Sequence, residues 1–361
     1  LDVAPVLADA GGEAYDRTAH AEAAALLREA VAVLSSAPAS QERDVLELDL
    51  RVRLAFTMQA TDGYLAEPVA EQYALMEPVL RRVRPVPRIV PALWGYASFH
   101  TVAGHPDKVE AMAPPDGAGE PWARIVADVH AGYWALGRGD VPGARRLLRR
   151  ALDALPDTDL PLFPVIGWDP IAGILGPAAA TESLAGDRAA AEAYLAEARR
   201  RRGELFNEMY VVHYAALVAA DRLDAPEVEA ASRQTLDLAE RGGHPEYRAM
   251  ARVLIGWAGG DRDVLTAGEE ALGSTLWRYP RLLPLHPDLL LRQGRHAEAA
   301  ALARERLVIP LDGLNRFAEP DLRRVLGIAT GDRAELELAL RLAQDLGHVP
   351  AAERAAAALL S

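Results

Sequence analysis

Histidine–carboxylate pairs are the residues of this 361-residue chain best placed to do chemistry. His20 with Glu22, and His296 with Glu298, have the H-x-E spacing with which zinc deaminases hold a metal and an acid–base glutamate. That chemistry also needs a cysteine pair on the metal, and the sequence contains no cysteine. The same lack removes thiol nucleophiles, disulfides and cysteine-ligated zinc. Neither HExxH nor GxSxG occurs, so a zinc-protease helix and a serine-hydrolase elbow are both missing. No GxxxxGK[ST] loop occurs to cradle phosphate. His244-Pro245-Glu246 follows Gly242–Gly243 and reads as the turn after a helix end. Acidic pairs are plentiful, but on amphipathic helices they read as solvated faces. The sequence is therefore read as non-enzymatic, with no catalytic residue, no metal ligand and no cofactor.

Recognition chemistry remains. The candidates are the aromatic residues Trp94, Tyr133, Trp168, Tyr247 and Trp257, with Arg278, Tyr279 and His213 as weaker ones. Aromatic side chains offer broad apolar contact with one polar handle, a common means of holding a peptide or a small amphiphile. Ordinary packing between helices is the competing account for each. Trp168 stands just outside a helix start, where Asp169 caps and Pro170 takes the first position. It is either an anchor for that start or an overhang on a groove.

The elements that would position these residues are helices. Half the residues are hydrophobic, alanine and leucine dominate, and aromatics make up 6%. Alanine and leucine lose little rotamer freedom in a helix, whereas strands favour β-branched and aromatic residues. The most strand-like run, Met209 to Ala220, has a buried helix's length and lacks alternation. Proline clusters at 84–90, 113–115 and 159–164 separate the helical patterns and read as loops.

These helices repeat. In HAGYWALGRGDVPGARRLLRRALDALPD, Gly132, Gly139, Ala144, Leu148, Ala151 and Pro156 match a 34-residue helix–turn–helix pattern. Small residues on the two helices would meet, Gly139–Asp140 would make the turn, and Pro156 would stop the second helix. Gly186, Ala191, Leu195 and Ala198 repeat the offsets, and Gly294 with Ala299 gives a weaker copy. Gly331–Asp332 and Gly104 mark further turns, and Ala23, Leu27, Ala30 and Pro38 reproduce a second-helix half. The expected architecture is all-α: one tetratricopeptide-like right-handed solenoid of eight to ten antiparallel hairpins over residues 1–361, a curved rod with an open inner wall. In tetratricopeptide folds the first helix of each hairpin lines that wall. Setting the register from the glycine turns points Trp94, Tyr133, Tyr247 and Trp257 inward.

Charge and hydropathy exclude further classes. The formal net charge is −13, from 52 acidic and 39 basic residues, so no direct binding of nucleic acid is expected. The basic runs Arg145–Arg146 with Arg149–Arg150, and Arg199 to Arg202, read as solvated helix faces. No apolar run reaches the roughly 18 residues of a membrane span. The opening residues lack a secretion signal, so the expected compartment is cytoplasmic, and lack an initiator methionine, so the chain is read as part of a longer protein.

Several segments resemble the C-terminal tetratricopeptide-like region of large bacterial signalling regulators, both MalT-like and LuxR-type regulators and activators with a bacterial transcriptional activator domain. HAEAAALLREAVAVLSSAP followed by ERDVLELDLRVRL looks like the opening helices, and Ala60–Tyr73 like a glycine–tyrosine turn. Ala92–Gly104 and Gly167–Asp187 look like recurring segments, and Arg316–Asp332 like the last full repeat. The resemblance implies a sensing and assembly arm that receives a small-molecule effector or a protein partner and controls upstream ATPase and DNA-binding modules of the same polypeptide. The alternatives are a free-standing adaptor that binds a partner's peptide and, third, a helical-toroid enzyme. A lysine clamp for a peptide carboxylate is unavailable, because Lys108 is the single lysine, but arginines could replace it.

Overall fold

Alanine and leucine recurring at three- and four-residue spacing, interrupted by glycine, build nineteen α-helices among the described residues, with no strand. The computed structural model describes residues 3–83, 87–112, 121–155, 169–201, 205–308 and 314–360. The helices run α1 Val3–Asp16, α2 His20–Ser35, α3 Gln41–Asp62, α4 Glu67–Arg82, α5 Val90–Ala103 and the short α6 Pro106–Glu110. Next come α7 Pro121–Gly137, α8 Val141–Asp153, α9 Pro170–Leu184, α10 Arg188–Arg200, α11 Leu205–Asp221 and α12 Ala225–Gly242. The last are α13 Pro245–Gly259, α14 Arg262–Leu272, α15 Leu285–Arg292, α16 His296–Leu307, α17 Glu319–Thr330, α18 Arg333–Leu346 and α19 Val349–Leu360. They pair in order as antiparallel hairpins, α1 with α2 through α17 with α18, and α19 closes the stack. The all-α solenoid expected from the repeats is what forms, and the strand-like run Met209–Ala220 lies within α11.

One device makes most of the turns. Gly139, Gly186, Gly260, Gly294 and Gly331 follow the first helix of a pair with positive φ, and Leu223 takes that role once. From Gly186 to Gly331 these turns recur every 34 to 37 residues. Where an aspartate comes next (Asp140, Asp187, Asp224, Asp261 and Asp332), its carboxylate accepts a backbone N–H from the first turn of the second helix. Pro156, expected to stop α8, lies outside the described residues, as do the loop prolines at 84–86, 113–115 and 159–164. The expected meeting of small residues occurs between α13 and α14, where a Cβ on Gly268 would stand 2.8 Å from the Ala249 carbonyl oxygen. Between α7 and α8 the partner is larger, since Gly132 receives the Leu148 side chain.

The open inner wall does not form, because hairpins about five apart touch. A Cβ on Gly139 would lie 2.8 Å from Leu346, one on Gly186 3.1 Å from Val349, and one on Gly104 3.0 Å from Arg278. His20 reaches Gly243 in the same way. The rod thus coils tightly enough for successive superhelical turns to touch, and the groove narrows to a partly open hollow. The basic runs are also more than solvated faces. Arg145 and Arg149 of α8 both pair with Glu182 of α9, a carboxylate 1% exposed, at 2.7 and 2.8 Å. Arg150 donates to buried Asp128 of α7 and Arg201 to Asp169. A buried carboxylate without a partner is costly, so these arginines tie neighbouring helices together with their half-exposed heads.

Candidate functional site

The first helices of successive hairpins turn one aromatic stripe each toward a hollow of about 340 Å³. On α11 the stripe is Phe206, Tyr210, His213 and Tyr214, and on α7 it is His130, Tyr133, Trp134 and Gly137. These are intervals of three, four and seven or eight residues, which keep side chains on one helix face. On α5 the same spacing gives Trp94, Ser98, Thr101 and Val102, and α13 adds Glu246, Tyr247 and Met250. The stretch after α14 contributes Arg278 to Leu282, and Phe317 comes from the turn before α17.

A proline shapes the wall facing α7 and α11. Pro177 inside α9 has no N–H for the carbonyl four residues back, that of Gly173. Two tyrosines take that acceptor: the Tyr133 hydroxyl lies 2.8 Å and the Tyr210 hydroxyl 3.2 Å from the Gly173 oxygen, and the two hydroxyls are 2.8 Å apart. Gly176 on the same helix makes room, since a Cβ there would meet the Tyr214 ring at 2.8 Å. Tyr210 and Tyr214 pack at 4.9 Å between centroids, and Tyr247 takes Phe206 and His213 edge-on at 5.8 and 5.4 Å. Aromatic pairs of this kind each contribute about 1 kcal/mol beyond burial.

The hollow is electrically quiet except at one end. Burial holds the hydroxyls of Tyr133, Tyr210, Tyr247 and Tyr279 well above the ordinary phenol range, so they stay neutral donors. It pushes His130 down to about 3; His213 falls to about 3 from burial and then the Arg281 charge. Burial likewise raises the Glu246 carboxyl, against a hydrogen bond from Tyr279. At the charged end, Arg281 gives Nη2 to Asp221 at 2.5 Å and leaves Nη1 without a partner. Arg278 also lines the hollow, and among the described residues no hydrogen bond or ion pair engages it. Among the described residues no group of three metal-ligating side chains forms, and no helix is long and apolar enough to cross a membrane.

Of the candidates read from sequence, Trp94, Tyr133 and Tyr247 lie around this hollow, together with Arg278, Tyr279 and His213. Trp94 belongs to the wall itself, 1% exposed and edge-on to His130 at 5.3 Å. Trp257 turns inward but does not line this hollow; it lines a neighbouring cavity of about 50 Å³ that shares Arg281 with it. It is buried, donates its indole N–H to Asp288 at 2.9 Å and packs under the Arg292 guanidinium. Ten residues separate it from Tyr247 on α13, about 15 Å along the axis and roughly 80° round it, so one hollow cannot take both. Trp168 lies outside the described residues, while Asp169 caps α9 and Pro170 opens it. Sequence reading missed Tyr210, Tyr214 and Phe206, although their helical spacing with His213 was a usable signal. His130 had the same signal through its three-residue spacing to Tyr133, whereas Glu246 and Arg281 had none, because only coiling brings them to the hollow.

No family model matches the sequence, and no curated protein matches it. Solved structures do share the fold. One of them, the structure of phAimR with ligand, superposes with a TM-score of 0.59 at 10% identity, covering 86% of each chain. That likeness shows the tetratricopeptide-like all-helical architecture.

Proposed function

We propose that the hollow is the effector site of a non-catalytic sensing arm in a bacterial transcriptional regulator. In this reading an effector filling the hollow fixes the curvature of the superhelix. That curvature controls upstream ATPase and DNA-binding modules of the same polypeptide. The observation that carries the reading is a hollow lined by tyrosines, with a half-buried guanidinium that no described residue pairs, where successive superhelical turns meet. A surface of that kind is what a ligand pocket presents. The likeness to phAimR, whose structure contains a ligand, supports it at the level of fold. Catalysis is disfavoured by the lining. Thr101 approaches His130 at 3.4 Å, but its hydroxyl donates to the Ala97 carbonyl at 2.7 Å and no carboxylate orients the imidazole.

Thermal unfolding in the presence of small aromatic compounds tests this. A compound that binds only the folded chain at a hundred times its Kd adds about 2.7 kcal/mol and raises Tm. Tyr247→Ala is expected to weaken binding at least tenfold with helicity retained, and Trp257→Phe to leave binding unchanged. The reading fails if no aromatic compound of any charge shifts Tm, or if the Trp257 variant loses binding and the Tyr247 variant keeps it. The fused-regulator form predicts an open reading frame that continues upstream of Leu1, and a start codon there refutes it.

A further inference from the structure

Among the described residues, the hollow is lined by one positive charge, Arg278, that nothing compensates. Arg278 ends the 3-10 turn Gly273–Arg278, and its Nη1 would stand 3.0 Å from a Cβ on Gly104, the residue that ends α5. The negative end of the α5 dipole holds the guanidinium there without a hydrogen bond. The charges nearby are otherwise engaged. Arg281 is neutralised by Asp221 and keeps only Nη1 unpaired. Glu246, the carboxylate in the lining, forms no ion pair with either arginine; burial favours its neutral form and Tyr279 donates to it. An anion that meets this half-buried guanidinium beside apolar rings gains a charge-assisted, geometrically specific pair.

We propose, resting on the effector-site reading, that the hollow takes a ligand with a flat aromatic body and a single carboxylate, the carboxylate on Arg278 and the body among Phe206, Tyr214 and Tyr247. Size agrees: 340 Å³ is near the lower end of the roughly 300–1,000 Å³ of small-molecule pockets, room for one or two rings. One uncompensated cation matches a monoanion. The same chemistry occurs on a free aromatic acid and at the C-terminus of a short peptide that ends in an aromatic residue.

Calorimetric titration of the full chain with indole-3-acetate, indole-3-acetamide, tryptamine, N-acetyl-Ala-Phe and N-acetyl-Ala-Phe amide tests the assignment. Each acid is expected to bind at least tenfold tighter than its amide. Arg278→Gln is expected to erase that ratio while leaving amide affinity within twofold. Equal binding of acid and amide overturns the carboxylate anchor and leaves the hollow as an effector site, as does an Arg278→Gln variant that keeps the ratio. Preference for tryptamine also overturns it, by making Glu246 the anchor. Absence of binding by all five probes overturns both readings. If the acids win, the tighter of indole-3-acetate and the peptide acid identifies the source of the carboxylate.

Discussion

Two interiors meet at Arg281, and they are built on opposite terms. The aromatic hollow holds about 340 Å³ of space, neutral hydroxyls and imidazoles, and polar atoms without partners. Beyond Arg281 lies a cavity of only about 50 Å³ whose walls carry Asp221, Asp288, Asp321, Arg324 and Arg354. There charge meets charge at short range. Asp321 binds Arg354 at 2.7 Å and Arg324 at 3.2 Å, Asp288 binds Arg324 at 2.7 Å and the Trp257 indole, and Arg354 also donates to the Asp221 carbonyl. These contacts join α11, α13, α15, α17 and α19 across more than a hundred residues of sequence. Buried charges paired at short range hold the superhelix closed, while the aromatic hollow keeps open space beside a charge that no described residue pairs.

The largest test of that contrast is Asp321→Asn. It strands two buried guanidinium groups and is expected to cost about 3–5 kcal/mol in denaturant unfolding followed by circular dichroism, with aromatic-probe affinity within twofold. A loss under about 1 kcal/mol would mean the ionic interior is not structural, and the contrast would fail.

Acid sharpens the comparison. His130 and His213, near 3, and His244, near 4, sit below the unfolded value of about 6.5, so the unfolded chain takes up protons that the folded chain refuses. Their stability is intact above pH 6.5 and declines as pH falls, by about 2 kcal/mol per histidine at pH 5. His348, stacked on Phe317 beside the ionic interior, shares that window. Asp321 lies well below the ordinary carboxylate range because Arg354 and Arg324 outweigh its burial. Its contribution therefore persists down to about pH 4 and is lost only as pH falls further. Unfolding free energy measured from pH 7.5 to 3 should fall in two stages, and His213→Gln should remove about 2 kcal/mol of the first. A single stage confined below pH 4 would contradict neutral buried histidines.

The smallest expected effect is Arg278→Gln on stability, within about 0.5 kcal/mol by the same unfolding measurement. A cost above about 1.5 kcal/mol would make this arginine a structural cap for α5, and the distinction between the two interiors would lose its clearest residue.

Much of the scaffold was legible in the chain. Glycine–aspartate pairs at 139–140, 186–187 and 331–332 announced hairpin turns, because positive φ and an N-cap carboxylate are local requirements. Tyr133 and Tyr247 were found from the same turns by counting helix positions. Trp257, turned inward by the same count, lines the smaller cavity and not the aromatic hollow, since periodicity gives a face without saying which neighbour covers it. The arginines of α8 looked solvated because their partners lie on other helices, Glu182 33 residues from Arg149 and Asp128 22 residues from Arg150.

By itself, then, the order of residues determined helices, hairpins and the side of each first helix that turns inward, all properties of a window of a few dozen residues. Coiling decided the rest: that hairpins about five apart touch, that a groove narrows into a hollow, and that Arg281 pairs with an aspartate 60 residues earlier while Arg278 pairs with no described residue. The physical reason is accumulation. Each hairpin adds a small rotation to the last, and no local pattern records where their sum brings two distant turns into contact.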